Sequence, residues 1–141
     1  MSIQQIKWSK EFEIGVEDID LQHHYFLNLI NRIIREIHKG ENIEYIQDLI
    51  IELNKYVSFH FNSEETMMLH SNYPAYELHK QHHFELIEKL NIKEFSVLQN
   101  IDDESKRDSI ITFLIDWFVA HTSGEDRKLA QYLIANGYCE K

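Results

Sequence analysis

Residues 46–68 read IQDLIIELNKYVSFHFNSEETMM, and this stretch decides the fold class. Apolar or inward-type side chains recur every three or four positions, as on one face of an α-helix. They are Ile46, Leu49, Ile50, Leu53, Tyr56, Val57, His60, Phe61, Glu64, Met67 and Met68. The stretch therefore predicts an amphipathic helix over about residues 41–69, with His60 and Glu64 on a face that should otherwise be apolar.

The same spacing predicts three more helices. They cover about residues 18–38, about 74–94, and a fourth region that begins near 103–106 and continues to about 135. Gly40 is typical of a helix end, and Pro74 suits the first turn of the third helix. A polar stretch near residues 99–103 predicts a loop. Four comparable amphipathic helices with short connections indicate an all-α, up-down-up-down four-helix bundle.

Residues 1–17 predict an N-terminal arm in front of the bundle. They include Trp8, Phe12 and Ile14, and three large apolar side chains are expected to pack across the helices rather than stay in water. A length of 141 residues fits one core. We therefore expect residues 1–141 to form a single domain, with the bundle at about 18–135.

The composition argues against several partners. A formal net charge of −10 disfavours nucleic acid and anionic membranes, because both bind clustered Lys and Arg. The 43% of apolar residues are spread too evenly for a membrane span. The N-terminus shows no secretory signal, and the single cysteine, Cys139, cannot form an internal disulfide. We expect a cytoplasmic protein that is monomeric, with self-association as the alternative. We expect no special role for the Cys139 thiol.

Polar side chains on the predicted core faces are the main functional signal. One buried histidine is usually a satisfied core residue, but here at least one such side chain comes from each helix. Several unpaired buried polar groups would oppose folding unless a cation bound them. The set therefore predicts a metal site, and its members are His23, His60, Glu64, His79, His83 and His121.

Spacing supports a shared site for the pairs on the second and third helices. His60 and Glu64 are four residues apart, as are His79 and His83. Such residues lie about 40° apart around a helix axis, so both side chains reach one point. His82 is three residues from His79, so geometry alone leaves the choice between His82 and His83 open. Glu65, next to Glu64, is expected to be exposed, and a hydrogen bond to a ligand residue is the less favoured alternative.

The pair on the fourth helix needs a distortion. His121 and Asp126 are five residues apart, which places them about 140° apart on a regular helix. They can share a site only if the helix bulges or breaks between them. Gly124 lies in that interval, and bulges of this kind often occur at functional sites. We therefore predict a helix defect near Gly124.

The donor types narrow the choice of metal. The sequence has no Cys–His cluster for structural zinc and too few carboxylates for calcium or magnesium. Imidazoles with a few carboxylates suit iron, copper, nickel or zinc. Two carboxylates that can each bridge favour a pair of ions over one.

Taken in order, these motifs resemble those of the hemerythrin family, and most of all its single-domain bacterial members. The resemblance covers nearly the whole chain. It is carried by residues 20–23 (DLQH), 60–64 (HFNSE), 73–83 (YPAYELHKQHH) and 117–126 (WFVAHTSGED), with Trp8 and residues 12–15 (FEIG) in support. Each segment alone is weak, but together, in this order and at these distances, they are specific. The family pattern also favours His83 over His82.

The resemblance implies a non-haem di-iron centre. One iron would be bound by His79, His83 and His121, and the other by His23 and His60. Both irons would be bridged by Glu64, Asp126 and an oxo or hydroxo group. Counting ligands gives six for the first iron and five for the second, which leaves the second iron with a free position for O2.

The implied function is reversible O2 binding, as an oxygen carrier, store or local supply, and not enzymatic turnover. The alternative is a di-iron redox enzyme or sensor that handles O2, peroxide or nitric oxide. Four residues are expected to line the O2 pocket: Phe26, Phe61, Trp117 and Thr122. The three aromatic residues also fit plain core packing. Many relatives have an apolar residue where this chain has Thr122, and we expect its hydroxyl to speed autoxidation.

Overall fold

The computed structural model describes residues 4–40 and 42–138. Cys139 lies outside the described residues. The described chain has no strand, and its helices pack as a closed ring of neighbours in chain order, which confirms the predicted four-helix bundle. The helices are α1 (Glu17–Lys39), α2 (Ile43–His70), α3 (Tyr76–Gln99), α4 (Glu104–His121) and α5 (Arg127–Ala135). A π-helical turn, Thr122–Asp126, joins α4 and α5 into the fourth rod of the bundle.

Local chemistry sets the ends of these helices. Gly40 adopts a left-handed conformation (φ 64°) and its N–H donates to the Glu36 carbonyl, which ends α1. The Asn42 side chain accepts the Tyr45 N–H at 2.9 Å and so caps the start of α2. Pro74 lies in the turn before α3 and not in its first helical turn as predicted, because the chain first closes a turn from Tyr73 to Tyr76.

The third helix is longer than the sequence pattern predicts. It continues to Gln99, whereas the prediction ended it at about residue 94. Val97 is buried in the core, so the helix keeps an inward contact beyond the predicted end. Exposed apolar side chains at Ile92 and Phe95 blur the amphipathic pattern there. The predicted loop is correspondingly short and lies between Gln99 and Glu104.

The N-terminal arm packs across the bundle, as expected from its large apolar side chains. The Phe12 ring lies 5.2 Å from the Phe118 ring, measured between centroids. Trp8 stacks on His24 with a centroid separation of 3.5 Å. Ile14 is buried as well. The arm therefore contributes side chains to the core of the bundle.

Two apolar clusters fill the bundle and leave a polar layer between them. The larger cluster includes Phe26 on α1, Phe61 on α2 and Phe118 on α4. The smaller cluster is formed by Ile14, Val16, Ile19, Met67, Met68, Leu129, Ala130 and Leu133. On α1, on α2 and on the fourth rod, the buried polar residues stand between members of the two clusters. Among the described residues, no helix is long and apolar enough to cross a membrane.

Candidate metal centre

The structure brings all seven sequence-predicted ligand residues into the polar layer. Their donor atoms form two overlapping groups, within each of which all atoms lie within 4.8 Å of one another. We call the first the three-histidine subsite and the second the two-histidine subsite. The three-histidine subsite contains His79, His83, His121, Glu64 and Asp126, and the two-histidine subsite contains His23, His60, Glu64 and Asp126. All seven side chains are buried, and the two carboxylates belong to both subsites.

Glu64 divides its two oxygens between the subsites. Its Oε1 lies 3.1 Å from His83 Nε2 and 3.3 Å from His79 Nε2. Its Oε2 lies 3.4 Å from His60 Nε2 on the other side. One carboxylate thus presents one oxygen to each set of imidazoles, which is the arrangement needed to bridge two cations.

Asp126 divides its oxygens in the same way. Its Oδ1 lies 3.0 Å from His121 Nε2 and 3.4 Å from His79 Nε2. Its Oδ2 lies 2.9 Å from His23 Nε2 and 3.8 Å from His60 Nε2. The two carboxylates are therefore arranged alike although they come from different helices.

The inward nitrogen atoms are crowded and short of partners. His23 Nε2 and His60 Nε2 are 3.2 Å apart, and His83 Nε2 and His121 Nε2 are 3.3 Å apart. In the described part of the chain, both Glu64 oxygens, His79 Nε2 and Asp126 Oδ1 are buried without a hydrogen-bond partner. Buried, unpaired polar atoms are costly unless something binds them. This donor set fits a pair of divalent cations of the imidazole-preferring kind.

A π-helical turn positions Asp126, and it confirms the predicted defect between His121 and Asp126. The turn inserts one extra residue, so a residue five positions on faces the same way as His121. The bulge does not need glycine at position 124 on steric grounds, because the φ of Gly124 is not left-handed and an added Cβ would meet nothing within 4 Å. The Ser123 hydroxyl donates to the Val119 carbonyl at 2.6 Å, and hydrogen bonds of this kind often accompany a bend in a helix.

Opposite charges dominate the electrostatics of the metal-free centre. Burial by itself would lower the histidine pKa values, but the nearby carboxylates raise the pKa of His60 and His79 to about 9 and that of His121 to about 10. Burial would raise the carboxyl values, yet the imidazoles hold the pKa of Glu64 and Asp126 well below the usual range. Protons and cations therefore compete for the same nitrogens.

The structure separates His83 from His82. His83 Nε2 points into the three-histidine subsite, whereas His82 is partly exposed and its Nδ1 pairs with Glu125 outside the centre. Glu65 was expected to be exposed, but the structure shows the less favoured alternative, a hydrogen bond to a ligand residue. Its Oε2 accepts a hydrogen bond from His83 Nδ1 at 3.0 Å, which tucks the carboxylate against the bundle.

Two further residues near the centre were not among the predicted site residues. Gln22 Oε1 lies 2.6 Å from His60 Nδ1, although Gln22 is on the flank of the α1 stripe. Glu125 Oε1 lies 3.8 Å from His121 Nδ1. Both contacts are made by side chains next in sequence to a predicted ligand. The contact of Gln22 depends on how α1 and α2 pack, so helical periodicity does not predict it. Glu125 is four residues after His121, a spacing that could have indicated its contact.

Aromatic rings surround the imidazoles. Phe61 stacks on His83 with centroids 3.8 Å apart, and Trp117 lies nearly parallel to His121 at 5.5 Å. Phe26 lies 4.8 Å from Trp117 and completes this group. The structure thus brings three of the predicted pocket residues together, against the three-histidine subsite.

The rest of the predicted pocket is arranged differently. Thr122 is buried in the π-helical turn, directly after His121. Phe118, which was not among the predicted pocket residues, is the ring next to His23, with a centroid separation of 5.7 Å. Helical spacing in the sequence places Phe118 on the core face of the fourth helix. It does not predict the contact of Phe118 with the two-histidine subsite.

The sequence pattern of the hemerythrin HHE cation binding domain matches residues 14–133. The chain belongs to the hemerythrin family. It is 28% identical over 127 residues to a bacteriohemerythrin of Clostridium acetobutylicum, covering 86% of this chain and 95% of that relative. A myohemerythrin of Theromyzon tessulatum is 26% identical over 122 residues, covering 86% of this chain and 88% of the relative. A crystal structure of wild-type hemerythrin superposes with a TM-score of 0.80 at 26% identity, covering 92% of this chain and 98% of that one.

Proposed function

We propose that this hemerythrin-family protein binds O2 reversibly at a non-haem di-iron centre and serves as an oxygen carrier, store or local supply. The observation that carries the proposal is the division of each shared carboxylate between two sets of imidazoles, in Glu64 and in Asp126. The names of the relatives, bacteriohemerythrin and myohemerythrin, support it. When bound, the iron pair would supply the electrons that O2 takes up.

The two subsites offer unequal numbers of ligands. The three-histidine subsite presents three imidazoles and two carboxylate oxygens, and the two-histidine subsite presents two imidazoles and two carboxylate oxygens. A bridging oxo or hydroxo group would add one ligand to each. The ion at the two-histidine subsite would then be the one with room for another ligand, so we place O2 binding there, beside His23 and His60.

The surrounding side chains keep the centre dry. The ligands lie between the two apolar clusters, with Phe118 against His23 and Phe61 against His83. Excluding water from a reactive centre limits side reactions and proton leakage. A set of five imidazoles with only two carboxylates is less electron-rich than the carboxylate-dominated di-iron sites of helical bundles. Both features favour reversible binding over oxidative turnover.

The proposed pocket for O2 consists of Phe26, Phe61, Trp117 and Thr122, as the sequence predicts. All four side chains are buried. Phe61 lies beside His60 as well as His83, with the Phe61 and His60 ring centroids 5.9 Å apart. Phe26 packs on Phe118, the ring next to His23, so these two residues link the pocket to the two-histidine subsite. The one cysteine in 141 residues fits a reducing compartment, so we also propose a cytoplasmic location.

A visible spectrum of the anaerobically reduced, iron-loaded protein tests the proposal. We expect a charge-transfer band that appears with O2 and disappears under argon over repeated cycles. His60→Ala should abolish this reversible band, whereas His38→Ala, at an exposed position of α1, should leave it unchanged. Direct conversion to the oxidised spectrum, with no reversible species, would contradict O2 carriage and favour a redox enzyme.

A further inference from the structure

Gln22 connects the first two helices at the two-histidine subsite. Its Oε1 accepts a hydrogen bond from His60 Nδ1 at 2.6 Å. Its Nε2 donates to the Ser63 hydroxyl at 3.0 Å. A chain of two hydrogen bonds thus runs from Ser63 on α2 through Gln22 on α1 and back to His60 on α2.

This chain of hydrogen bonds selects one tautomer of His60. A neutral imidazole carries one N–H, and only its other nitrogen has a lone pair for a metal ion. The inward atom is His60 Nε2, which faces the carboxylates, so the proton must be on Nδ1. An amide oxygen at Nδ1 holds the proton there. The opposite amide orientation would place an NH2 group against Nδ1 and force the proton onto Nε2.

Ser63 holds the other end of the Gln22 amide, and in the observed orientation its hydroxyl oxygen accepts the hydrogen bond. With Nε2 of Gln22 donating to the Ser63 oxygen, the amide oxygen is the atom left to face His60. These two hydrogen bonds, made outside the centre, thereby hold both the rotation and the tautomer of the His60 ring. Partners of this kind, bonded to the outer nitrogen of a ligating histidine, raise metal affinity.

The two subsites are supported by different groups. In the three-histidine subsite, His83 Nδ1 donates to the Glu65 carboxylate at 3.0 Å. In the two-histidine subsite, the partner is the neutral amide of Gln22, and His23 Nδ1 has no hydrogen-bond partner among the described residues. Only one of its two imidazoles is therefore oriented from outside. The two-histidine subsite depends on Gln22 more than the three-histidine subsite depends on any one partner.

We propose that Gln22, which is hydrogen-bonded to Ser63, is a positioning residue that holds His60 in its metal-binding tautomer and so controls occupancy of the two-histidine subsite. This inference rests on the proposed two-metal centre. Because Glu65 and Gln22 act on different subsites, each ion can be weakened separately. The three-histidine subsite fills first, and the two-histidine subsite fills second.

Calorimetric titration of the metal-free protein with Zn²⁺, a redox-inert probe, tests the proposal. Gln22→Met should lower the affinity of the second binding step about 10- to 100-fold and leave the first step unchanged. Gln22→Glu keeps an acceptor oxygen and should restore the second step. Ser63→Ala should weaken the same step by a smaller factor. Asn28→Met, at an exposed position of α1, is the control and should change neither step.

Imidazole ¹⁵N NMR of the zinc-loaded proteins reports the tautomer of His60. A change in fold stability alone would leave this tautomer unchanged. We expect an Nδ1–H tautomer at His60 in the wild type and in Gln22→Glu, and loss of that signal in Gln22→Met. Wild type that binds fewer than two zinc ions would overturn the two-metal centre itself. Two unchanged steps in Gln22→Met, or equal weakening of both steps with a lower melting temperature of the metal-free protein, would overturn the role of Gln22 alone.

Discussion

Glu64 and Asp126 reach the same centre from two different kinds of helix. Glu64 follows His60 by four residues on the regular helix α2. Asp126 follows His121 by five residues across the π-helical turn. Both side chains are 0% exposed, and both share their oxygens between the subsites.

The difference shows what the π-helical turn achieves. On a regular fourth helix, the residue four positions after His121 would be Glu125, at the spacing that Glu64 has from His60. The extra residue turns Asp126 inward and leaves Glu125 outside, where it pairs with His82. The bulge therefore exchanges a long carboxylate for a short one at the same point of the centre.

Loss of either shared carboxylate should have the largest effect. Glu64→Ala and Asp126→Ala each remove one oxygen from both subsites, so both ions should be lost together, whichever helix supplied the carboxylate. We expect metal affinity to fall by more than the ~10- to 100-fold typical of losing an outer hydrogen-bond partner. Metal content after loading with Fe²⁺ under anaerobic conditions measures this. Glu125→Ala is the matched control and should retain two ions, and equal losses in all three variants would contradict the assignment.

Protonation of the histidines and of the two carboxylates should make the stability of the metal-free protein depend strongly on pH. The pKa values of His60 and His79 are raised to about 9, because their protonated imidazoles are paired with the carboxylates. This pairing stabilises the metal-free fold fully below pH ~6.5, and the stabilisation is lost as pH rises through ~9. The lowered pKa values of Glu64 and Asp126 contribute above pH ~4.5 and are lost as pH falls well below that.

The contribution of this centre to the melting temperature of the metal-free protein should therefore be largest between about pH 4.5 and 6.5. Apparent Zn²⁺ affinity should instead rise by about tenfold or more per pH unit between pH 6 and 9, because binding displaces protons from the imidazoles. Melting curves and zinc titrations across this range check both slopes. A zinc affinity that does not change with pH would refute the competition.

Deleting one residue from the bulge should have a smaller effect than deleting one elsewhere. Removal of Gly124 places Asp126 four residues after His121. A regular helix then brings both side chains to the same face, as α2 does for His60 and Glu64. We expect this variant to keep two ions with only a modest loss of affinity. Gly124→Ala should be close to neutral, since the added Cβ meets open space.

Removal of Ala120, outside the bulge, is the control for that deletion. It turns the preceding core residues Trp117 and Phe118 about 100° relative to His121 and should abolish metal binding. Zinc titration of the two deletion variants decides the matter. Loss of both ions in the Gly124 deletion would mean that the π-helical turn is required for more than the placement of Asp126.

The smallest expected effect concerns Thr122, which the bulge buries directly after His121. Replacing its hydroxyl by an apolar side chain in Thr122→Ile should slow autoxidation of the oxygenated protein several-fold. The decay of the O2-dependent band measures this rate, with Ser123→Ala as the control at the neighbouring exposed position. An unchanged rate in Thr122→Ile would refute the role of the hydroxyl.

Sequence patterns predict the bundle and the clustering of all seven polar residues because these depend on spacing along single helices. The five-residue interval from His121 to Asp126 even required the bulge that the structure contains. The predicted cause was incomplete, since Gly124 has no steric need to be glycine. Spacing cannot distinguish His82 from His83, because both can follow His79 on a helix face.

Contacts between helices could not be predicted in this way. The hydrogen bonds of Gln22 to His60 and of Glu65 to His83 depend on how neighbouring helices are rotated and how closely they approach. The end of α3 was missed for a related reason, because its buried residues are few and its exposed face carries apolar side chains. Periodicity is informative where one face is uniformly buried, and α3 is the helix that least fulfils that condition.

Diffraction from crystals of the iron-loaded protein, with data collected on both sides of the iron absorption edge, tests directly whether Glu64 and Asp126 are shared by two ions. We expect two anomalous peaks in the polar layer, one beside His79, His83 and His121 and one beside His23 and His60. Glu64 and Asp126 should each contact both peaks. A single peak, or iron bound elsewhere with these carboxylates unshared, would contradict this expectation.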